Sequence, residues 1–295
     1  MSKHVVYRLL EVNPRASRKK ESMSKHVVYR PVGFFTCAFA LSWCFWFSAA
    51  YYSHRQNGEV MIGVLMLLGL FGPAVAAFFF SGPGILRQDI RQRMFRFCHT
   101  PLRFWLVAVL LVPAVIVVAI LLSPLIGQSL SQLRLSPSIG VMEGSPLFSL
   151  IIIFLAPAIE ELGWSSYGID SLQHKCGNIF NSAILFGILW SLWHLPLFFI
   201  KGYYHYRLFA ENPLFAFNFF VSVVPLTIIT NWLYFRNDRS IPLAIIFHVS
   251  AVLSSELFMV TNETKCLVTV VCTAVAAVII WKDTDFFFAT RPTLA

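Results

Sequence analysis

The chain has 295 residues, of which 57% are hydrophobic and 13% charged. Its mean hydropathy of +0.70 lies outside the usual balance for a soluble globular domain, so the composition excludes that class and indicates a membrane protein. Lys and Arg outnumber Asp and Glu by 23 to 14. Such an excess would suggest nucleic-acid binding in a soluble protein, so its distribution along the chain has to be considered.

Eight long uncharged runs predict an all-α, polytopic protein whose transmembrane helices form a bundle. The runs are 32–52, 60–81, 104–125, 146–159, 177–200, 213–235, 241–255 and 266–281. A membrane-spanning helix needs about 20 residues, so the fourth and seventh runs span the bilayer only if their helices include polar residues. We place the transmembrane domain at 31–282, between a basic tail (1–30) and a C-terminal tail (283–295).

The basic tail contains a duplication. The octapeptide MSKHVVYR at 1–8 recurs at 23–30, and a single short repeat is no structural period. We interpret residues 1–22 as a non-native or upstream-start extension and exclude them from the fold. The first apolar run is long enough to span the bilayer and shows no small-residue cleavage site, so it does not resemble a signal peptide.

The basic residues cluster on one predicted side of the membrane. If the N-terminus lies inside, 18 of the 23 Lys and Arg residues fall on inner segments, which places both termini in the cytoplasm by the positive-inside rule. We expect this charge to contact membrane lipid and not nucleic acid, in the cell membrane, taken as a bacterial inner membrane. The six cysteines form no CxxC pair and predict neither a disulfide framework nor a zinc finger.

Ionisable residues within the predicted spans are the candidates for function. Glu160 and Glu161 stand in the sequence APAIEELGWSSYG on the fourth helix, His194 on the fifth and His248 on the seventh. Such groups are costly in a span, and they usually face a cavity and carry function. For the histidines, the alternative is a hydrogen bond that merely holds helices together. Glu256 lies near the outer end of its span and is expected to be solvated.

Helix geometry indicates that these residues can meet. The fourth and fifth helices are predicted to turn at 174–178, where Gly177 gives a helix-end signal. Glu161 and His194 are equally far from that turn, about 24 Å along each helix, so they lie at the same depth. His248 lies about 10 to 15 Å into its own span, which makes a meeting at mid-depth feasible.

Carboxylates and imidazoles in one dry cleft are the parts of a hydrolytic site. A carboxylate can take a proton from water, and an imidazole can orient that water, bind a metal or stabilise an oxyanion. Adjacent helical residues point about 100° apart, so we expect Glu160 to be the base and Glu161 to support it. We interpret the aromatic residues of 190–204 as packing that ends in an interfacial belt. Pro196 is expected to bend the helix just past His194.

Three motifs together resemble those of a known family. APAIEELGW, WSLWH in the next span and IIFH two spans later are similar to the motifs of CPBP (Abi-like) intramembrane proteases, which include CAAX-processing prenyl endopeptidases and bacteriocin-processing enzymes. The resemblance covers about residues 145–260. It implies an eight-helix bundle with a cavity open to the cytoplasm, and an intramembrane endopeptidase that cleaves a membrane-associated or prenylated substrate near its C-terminus.

The resemblance also implies roles for individual residues. Glu160 corresponds to the glutamate that activates water, Glu161 to its neighbour, and His194 and His248 to the assisting histidines. The resemblance does not decide whether the reaction needs a metal cofactor. The implied mechanism uses either glutamate and histidine alone or a divalent metal such as zinc, which Glu160, His194 and His248 would hold.

Two positions depart from the family pattern. The arginine of EExxxR is Ser165 here, and the asparagine one turn after the third-motif histidine is Val252. Loss of the arginine is expected to favour a protonated Glu161, and loss of an oxyanion donor costs about two to three powers of ten in rate. Three nearby polar residues are candidates to replace the asparagine: Ser255, Asn218 and Asn231.

The sequence is also compatible with two other classes of function. A non-catalytic relative that kept the fold and binds or regulates a membrane partner would explain both substitutions. A proton-coupled transporter would also use buried carboxylates, although the sequence shows no inverted repeat or paired broken helices. Cleavage of a lipidated peptide separates the protease from the regulator, and proton flux in liposomes identifies the transporter.

Overall fold

The computed structural model describes residues 28–55, 58–97, 100–136 and 146–290, with side chains from residue 150 onward in the last range. The interpretation of 1–22 as an extension therefore lies outside the described residues, as does the end of the C-terminal tail. Across the described ranges the chain is helical, and its one β-contact is an isolated antiparallel bridge between Leu135 and Phe258.

Helices make up most of the described structure. The α-helices are α1 (Pro31–Ser53), α2 (Glu59–Leu70), α3 (Gly72–Ser81), α4 (Ile85–Met94), α5 (Leu102–Leu122), α6 (Pro146–Gly163), α7 (Ile169–Cys176), α8 (Ile179–Trp193), α9 (Tyr204–Glu211), α10 (Pro213–Arg236), α11 (Ile241–Leu257), α12 (Asn262–Lys282) and α13 (Thr284–Phe288). A π-helix (Trp164–Gly168) joins α6 to α7, and 3-10 helices lie at Ser123–Ile126, Leu130–Leu133 and Leu195–Phe199.

Within the described ranges, seven helical segments are long and apolar enough to cross a bilayer. They are Pro31–Ser53, Glu59–Ser81, Leu102–Ile126, Leu150–Cys176, Ile179–Phe199, Pro213–Arg236 and Asn262–Lys282. The remaining predicted span is α11, which is apolar but has 17 residues, fewer than the roughly 20 of a typical span. The prediction of an all-α, polytopic membrane protein is confirmed.

The predicted turn between the fourth and fifth spans is present. Gly177 adopts a left-handed conformation with φ 76°, and its N–H donates to the Gln173 carbonyl at 2.9 Å, which ends α7. The side chain of Asn178 then accepts the N–H of Asn181 at 2.8 Å and begins α8. Both hydrogen bonds satisfy backbone groups that a helix end leaves without intrahelical partners.

The fifth span changes character next to its histidine. α8 ends at Trp193, and a 3-10 helix follows at Leu195–Phe199. Pro196 explains the change, because it has no N–H to donate and its ring excludes the carbonyl of Leu192. The expected interruption just past His194 is therefore present, and it leaves His194 at a helix end.

Two glycines allow close helix contacts around the site. A Cβ on Gly163 would lie 2.3 Å from the carbonyl carbon of Pro73, and one on Gly187 would lie 2.6 Å from Thr227 Oγ1. α6 therefore packs closely on α3, and α8 on α10, as small residues permit in membrane bundles. α11 packs against α5 and α6.

Candidate active site

Both predicted glutamates are buried at the end of α6. Glu160 is 8% exposed and Glu161 is 1% exposed. Glu160 Oε2 accepts a hydrogen bond from Trp190 Nε1–H on α8 at 3.1 Å. On Glu161, Oε2 accepts from the Ser165 hydroxyl, and Oε1 lies 3.1 Å from His248 Nδ1. The neighbouring carboxylates thus contact different helices, and Glu160 is the more open of the two.

His248 connects α11 to the glutamates. Besides the contact with Glu161, its ring meets the Trp190 ring edge to face, with centroids 4.9 Å apart at 88°. Its side chain is 12% exposed. Nε2 has no hydrogen-bond partner among the described residues, so this nitrogen is available to a ligand. The structure therefore brings His248 to the depth of the glutamates, as the helix geometry had indicated was feasible.

His194 stands at the end of α8 with one nitrogen occupied. Its Nδ1 lies 2.8 Å from the Trp190 carbonyl oxygen. A carbonyl can only accept, so Nδ1 carries the proton and Nε2 of the neutral ring is an acceptor. In the described part of the chain no hydrogen bond joins His194 to either glutamate. The equal depth predicted for Glu161 and His194 thus does not translate into a direct hydrogen bond.

Trp190 connects the predicted site residues, a role that the sequence analysis missed. Its indole N–H binds Glu160, its ring faces His248, and its carbonyl accepts from His194. From the sequence, this tryptophan was expected to serve in packing alone. Its spacing from His194 was the available signal, because residues four apart on a helix share a face.

The two departures from the family motifs have different consequences in the structure. Ser165 donates its hydroxyl to Glu161 and so supplies a hydrogen bond where the family has arginine. No comparable replacement exists near Val252 among the described residues. Ser255 donates to the Val252 carbonyl of its own helix at 2.7 Å, and Asn231 donates to the Thr227 carbonyl at 2.8 Å. In the same part of the chain, neither Asn218 nor Glu256 hydrogen-bonds to the site residues.

The metal hypothesis can be tested on the donor groups. No three His, Cys, Asp or Glu side chains in the described residues are grouped so as to hold a metal ion. Glu160, His194 and His248 meet around an indole ring, and each histidine directs one nitrogen at an oxygen of the protein, as metal-binding histidines also do. Because no three such side chains among the described residues are grouped closely enough to share an ion, the proposed reaction contains no step on a metal.

A charged cluster supports the segment that follows the glutamates. In the π-helix, the Ile169 N–H donates to the Trp164 carbonyl, five residues back. Arg93 on α4 is fully buried, and its guanidinium donates to the carbonyls of Ser165 at 3.1 Å and Ser166 at 2.8 Å. The short helix α4 is thereby connected to the backbone four and five residues after Glu161.

Acidic and aromatic partners complete this cluster. Asp170 is fully buried and lies 3.1 Å from Arg93 Nη1 and 2.9 Å from Arg239 Nη1. Asp89 pairs with both arginines at 2.8 Å, and the Tyr234 hydroxyl lies 2.6 Å from the Ser165 carbonyl. The assignment of the basic residues to membrane lipid is therefore wrong for Arg93 and Arg239, since the buried Asp170 and the partly exposed Asp89 bind them instead.

Membrane-length helices around buried glutamates and histidines define a polytopic membrane protein with a candidate site among those helices. The family model described as "Type II CAAX prenyl endopeptidase Rce1-like" matches residues 142–254, the range that holds all three motifs. A protein of Methanococcus maripaludis described as "CAAX prenyl protease 2" is 38% identical over 265 residues, which cover 88% of this chain and 96% of the relative. The chain belongs to the Rce1-like CAAX prenyl endopeptidase family, and the resemblance noted in the sequence is confirmed.

Proposed function

We propose that this protein is an intramembrane endopeptidase that hydrolyses a peptide bond near the C-terminus of a prenylated, membrane-associated substrate. Family membership and the name of the relative support the reaction and substrate class. The observation that carries the mechanism is the convergence of Glu160, His194 and His248 on Trp190. Buried ionisable groups in membrane spans usually serve function, and three from different helices meet here.

Glu160 is the general base of the proposed reaction. It is the more exposed carboxylate, and the Trp190 N–H fixes one of its oxygens, which leaves the other for a water molecule. Glu160 takes one proton from that water while His194 Nε2 accepts a hydrogen bond from the other. The water oxygen attacks the scissile carbonyl carbon and forms a tetrahedral oxyanion.

His248 stabilises the oxyanion. Its Nδ1–H donates to Glu161, and in the protonated ring Nε2–H points to the substrate oxygen. The Ser165 hydroxyl donates to one oxygen of Glu161, and His248 contacts the other, so Glu161 positions the His248 ring. Collapse of the intermediate breaks the C–N bond, and the leaving nitrogen takes the proton held by Glu160, which regenerates the carboxylate.

The membrane setting completes the proposal. The distribution of Lys and Arg favours the cell membrane with both termini in the cytoplasm. The remaining exposed basic residues are available to lipid headgroups.

Cleavage of a prenylated CAAX peptide by the purified, reconstituted protein tests the function. Glu160→Gln removes the base while keeping the shape, and should lower the rate by about 10²- to 10⁴-fold. Glu256→Gln makes the same change outside the site and should leave the rate unchanged. Equal cleavage by Glu160→Gln and the wild type would contradict the assigned role.

The non-catalytic regulator remains a second candidate because Val252 leaves the oxyanion without the family's asparagine. The same experiment separates the two functions. Saturable binding of the peptide by the wild type with no product would identify the regulator, whereas turnover that depends on Glu160 identifies the protease.

A further inference from the structure

Two neighbouring serines after the glutamates direct their hydroxyls differently. Ser166 donates to the Leu162 carbonyl, four residues back, which is a usual local bond of a serine inside a helix. Ser165 instead donates to the side chain of Glu161, also four residues back. The other oxygen of that carboxylate lies 3.1 Å from His248 Nδ1. The placement of His248 therefore depends, through Glu161, on where the backbone holds Ser165.

Arg93 holds the backbone at these two serines from outside their helix. Its Nη1–H donates to the Ser165 carbonyl at 3.1 Å, and its Nη2–H donates to the Ser166 carbonyl at 2.8 Å. The Tyr234 hydroxyl lies 2.6 Å from the same Ser165 carbonyl oxygen and accepts a hydrogen bond from Arg93. All four residues are at most 1% exposed. Because the N–H groups of a planar guanidinium are fixed relative to each other, one side chain fixes two successive peptide groups.

The charge of Arg93 is balanced within its own cluster. Arg93 and Arg239 pair with Asp89 and Asp170 at 2.8 to 3.1 Å, so two positive charges meet two negative ones. In the described part of the chain Arg93 forms no ion pair with Glu161. Its influence on that glutamate therefore passes through the position of the backbone and not through an unbalanced charge.

We propose that Arg93 is a positioning residue for His248. It fixes the backbone of the π-helix Trp164–Gly168 and so directs the Ser165 hydroxyl at Glu161, which in turn holds the His248 ring toward the substrate oxygen. π-Turns are rare and frequently lie at functional sites, and this relay gives the present one a role. The inference rests on the proposed protease function, in which His248 stabilises the oxyanion.

Two conservative substitutions separate the relay from the stability of the charged cluster. Arg93→Lys keeps the charge, but an ammonium group does not reproduce the fixed fork that reaches both carbonyls. We expect kcat to fall about 10- to 100-fold, since a misplacement of about 1 Å costs up to about 10²-fold in rate. KM should change less than about twofold, because the oxyanion contact is made only in the transition state. Arg239→Lys alters the same carboxylate pairs without a bond to either serine carbonyl among the described residues, and should leave kcat unchanged.

A double-mutant cycle tests whether Arg93 acts through Ser165. Ser165→Ala removes the hydroxyl and should itself lower kcat about 10-fold or more, the effect of losing a hydrogen bond to a charged group. Adding Arg93→Lys to Ser165→Ala should lower kcat by less than about twofold further, because the serine no longer transmits the backbone position. Losses that multiply in the double variant would overturn the inference. An equal loss of kcat in Arg93→Lys and Arg239→Lys would do the same.

A spectroscopic measurement keeps this test separate from that of the proposed function. In protein with isotope-labelled histidine, the Nδ1–H resonance of His248 is identified by its absence in His248→Gln. Arg93→Lys and Ser165→Ala should both shift this resonance, whereas Arg239→Lys should not. If the wild type cleaves no prenylated peptide, the proposed function fails, and the resonance still decides whether Arg93 positions His248. If the wild type cleaves and the resonance does not move in Arg93→Lys, the inference alone fails.

A second variant serves if Arg93→Lys does not fold, as judged by its thermal midpoint. Tyr234→Phe removes the hydroxyl that lies against the Ser165 carbonyl and accepts from Arg93. It should lower kcat in the wild-type background and not in the Ser165→Ala background. A folded Tyr234→Phe protein with wild-type kcat and an unshifted His248 resonance would refute the relay.

Discussion

Replacement of Arg93 by methionine should destabilise the protein far more than replacement of another paired arginine. The guanidinium is fully buried and contacts the Asp170 carboxylate and the carbonyls of Ser165 and Ser166. Removing one partner of a buried ion pair costs about 3–5 kcal/mol, because the other charge is left in a low-dielectric setting. Arg239 still pairs with Asp170 at 2.9 Å, so we expect about 3 kcal/mol, the lower end of that range.

Arg236 provides the matched control. It pairs with Asp283, and these two side chains are 38% and 25% exposed, whereas those of Arg93 and Asp170 are both 0% exposed. An exposed pair contributes about 0–1 kcal/mol, so Arg236→Met should have little effect. Both variants lose an arginine–carboxylate pair, which is buried for Arg93 and partly exposed for Arg236. Arg93→Met also loses the hydrogen bonds to the Ser165 and Ser166 carbonyls.

The measurement is the free energy of unfolding in mixed micelles, followed by tryptophan fluorescence. A difference of less than about 1 kcal/mol between the two variants would contradict the burial argument. Asp170→Asn in the Arg93→Met background adds a second test. This change removes a buried carboxylate that has lost one of its two arginine partners and should recover part of the lost stability. If the double variant is less stable than Arg93→Met, the remaining charge is not the source of the cost.

Three further predictions concern the site and its packing. Trp190→Phe removes the N–H bound to Glu160 and should lower kcat/KM by about 10- to 150-fold, the range for hydrogen bonds to charged groups; an unchanged value in steady-state assays would show that the bond does not assist the base. Gly187→Ala places a Cβ 2.6 Å from Thr227 Oγ1 and should lower the free energy of unfolding by about 1–3 kcal/mol through overpacking, whereas wild-type stability would show that α8 and α10 separate easily. Because burial keeps His205 neutral in the folded state, the unfolded chain binds the extra proton below about pH 6.5. Unfolding titrations should therefore show stability falling more steeply for the wild type than for His205→Phe as the pH drops from 7 to 5, and parallel curves would contradict this.

Much of the fold can be predicted from local features of the sequence. Long apolar runs predict the spans because a bilayer requires continuous apolar helices of a fixed length. Gly177 predicts the end of a helix because it adopts a left-handed conformation without strain, and Pro196 predicts an interruption because it lacks an N–H. These effects are local, so a single sequence contains them.

The contacts of individual side chains are less accessible from the sequence. Glu160, Glu161 and His248 were selected by the cost of an ionisable group in a span, and that cost does not specify which atoms meet. Nothing local distinguishes Trp190 as a hydrogen-bond donor from a tryptophan that only packs. Arg93 lies in a basic loop of the type that contacts lipid, and its burial depends on how α4 folds back against α7 and α10.

The π-helix has a consequence for insertions and deletions in this segment. A π-turn contains one residue more than an α-turn, and each helical residue adds about 100° of rotation. The extra residue of the π-helix determines how far α7 is rotated about the helix axis relative to the end of α6. Shortening Trp164–Gly168 by one residue would turn Asp170 away from its arginines even though every charged side chain remained in the chain.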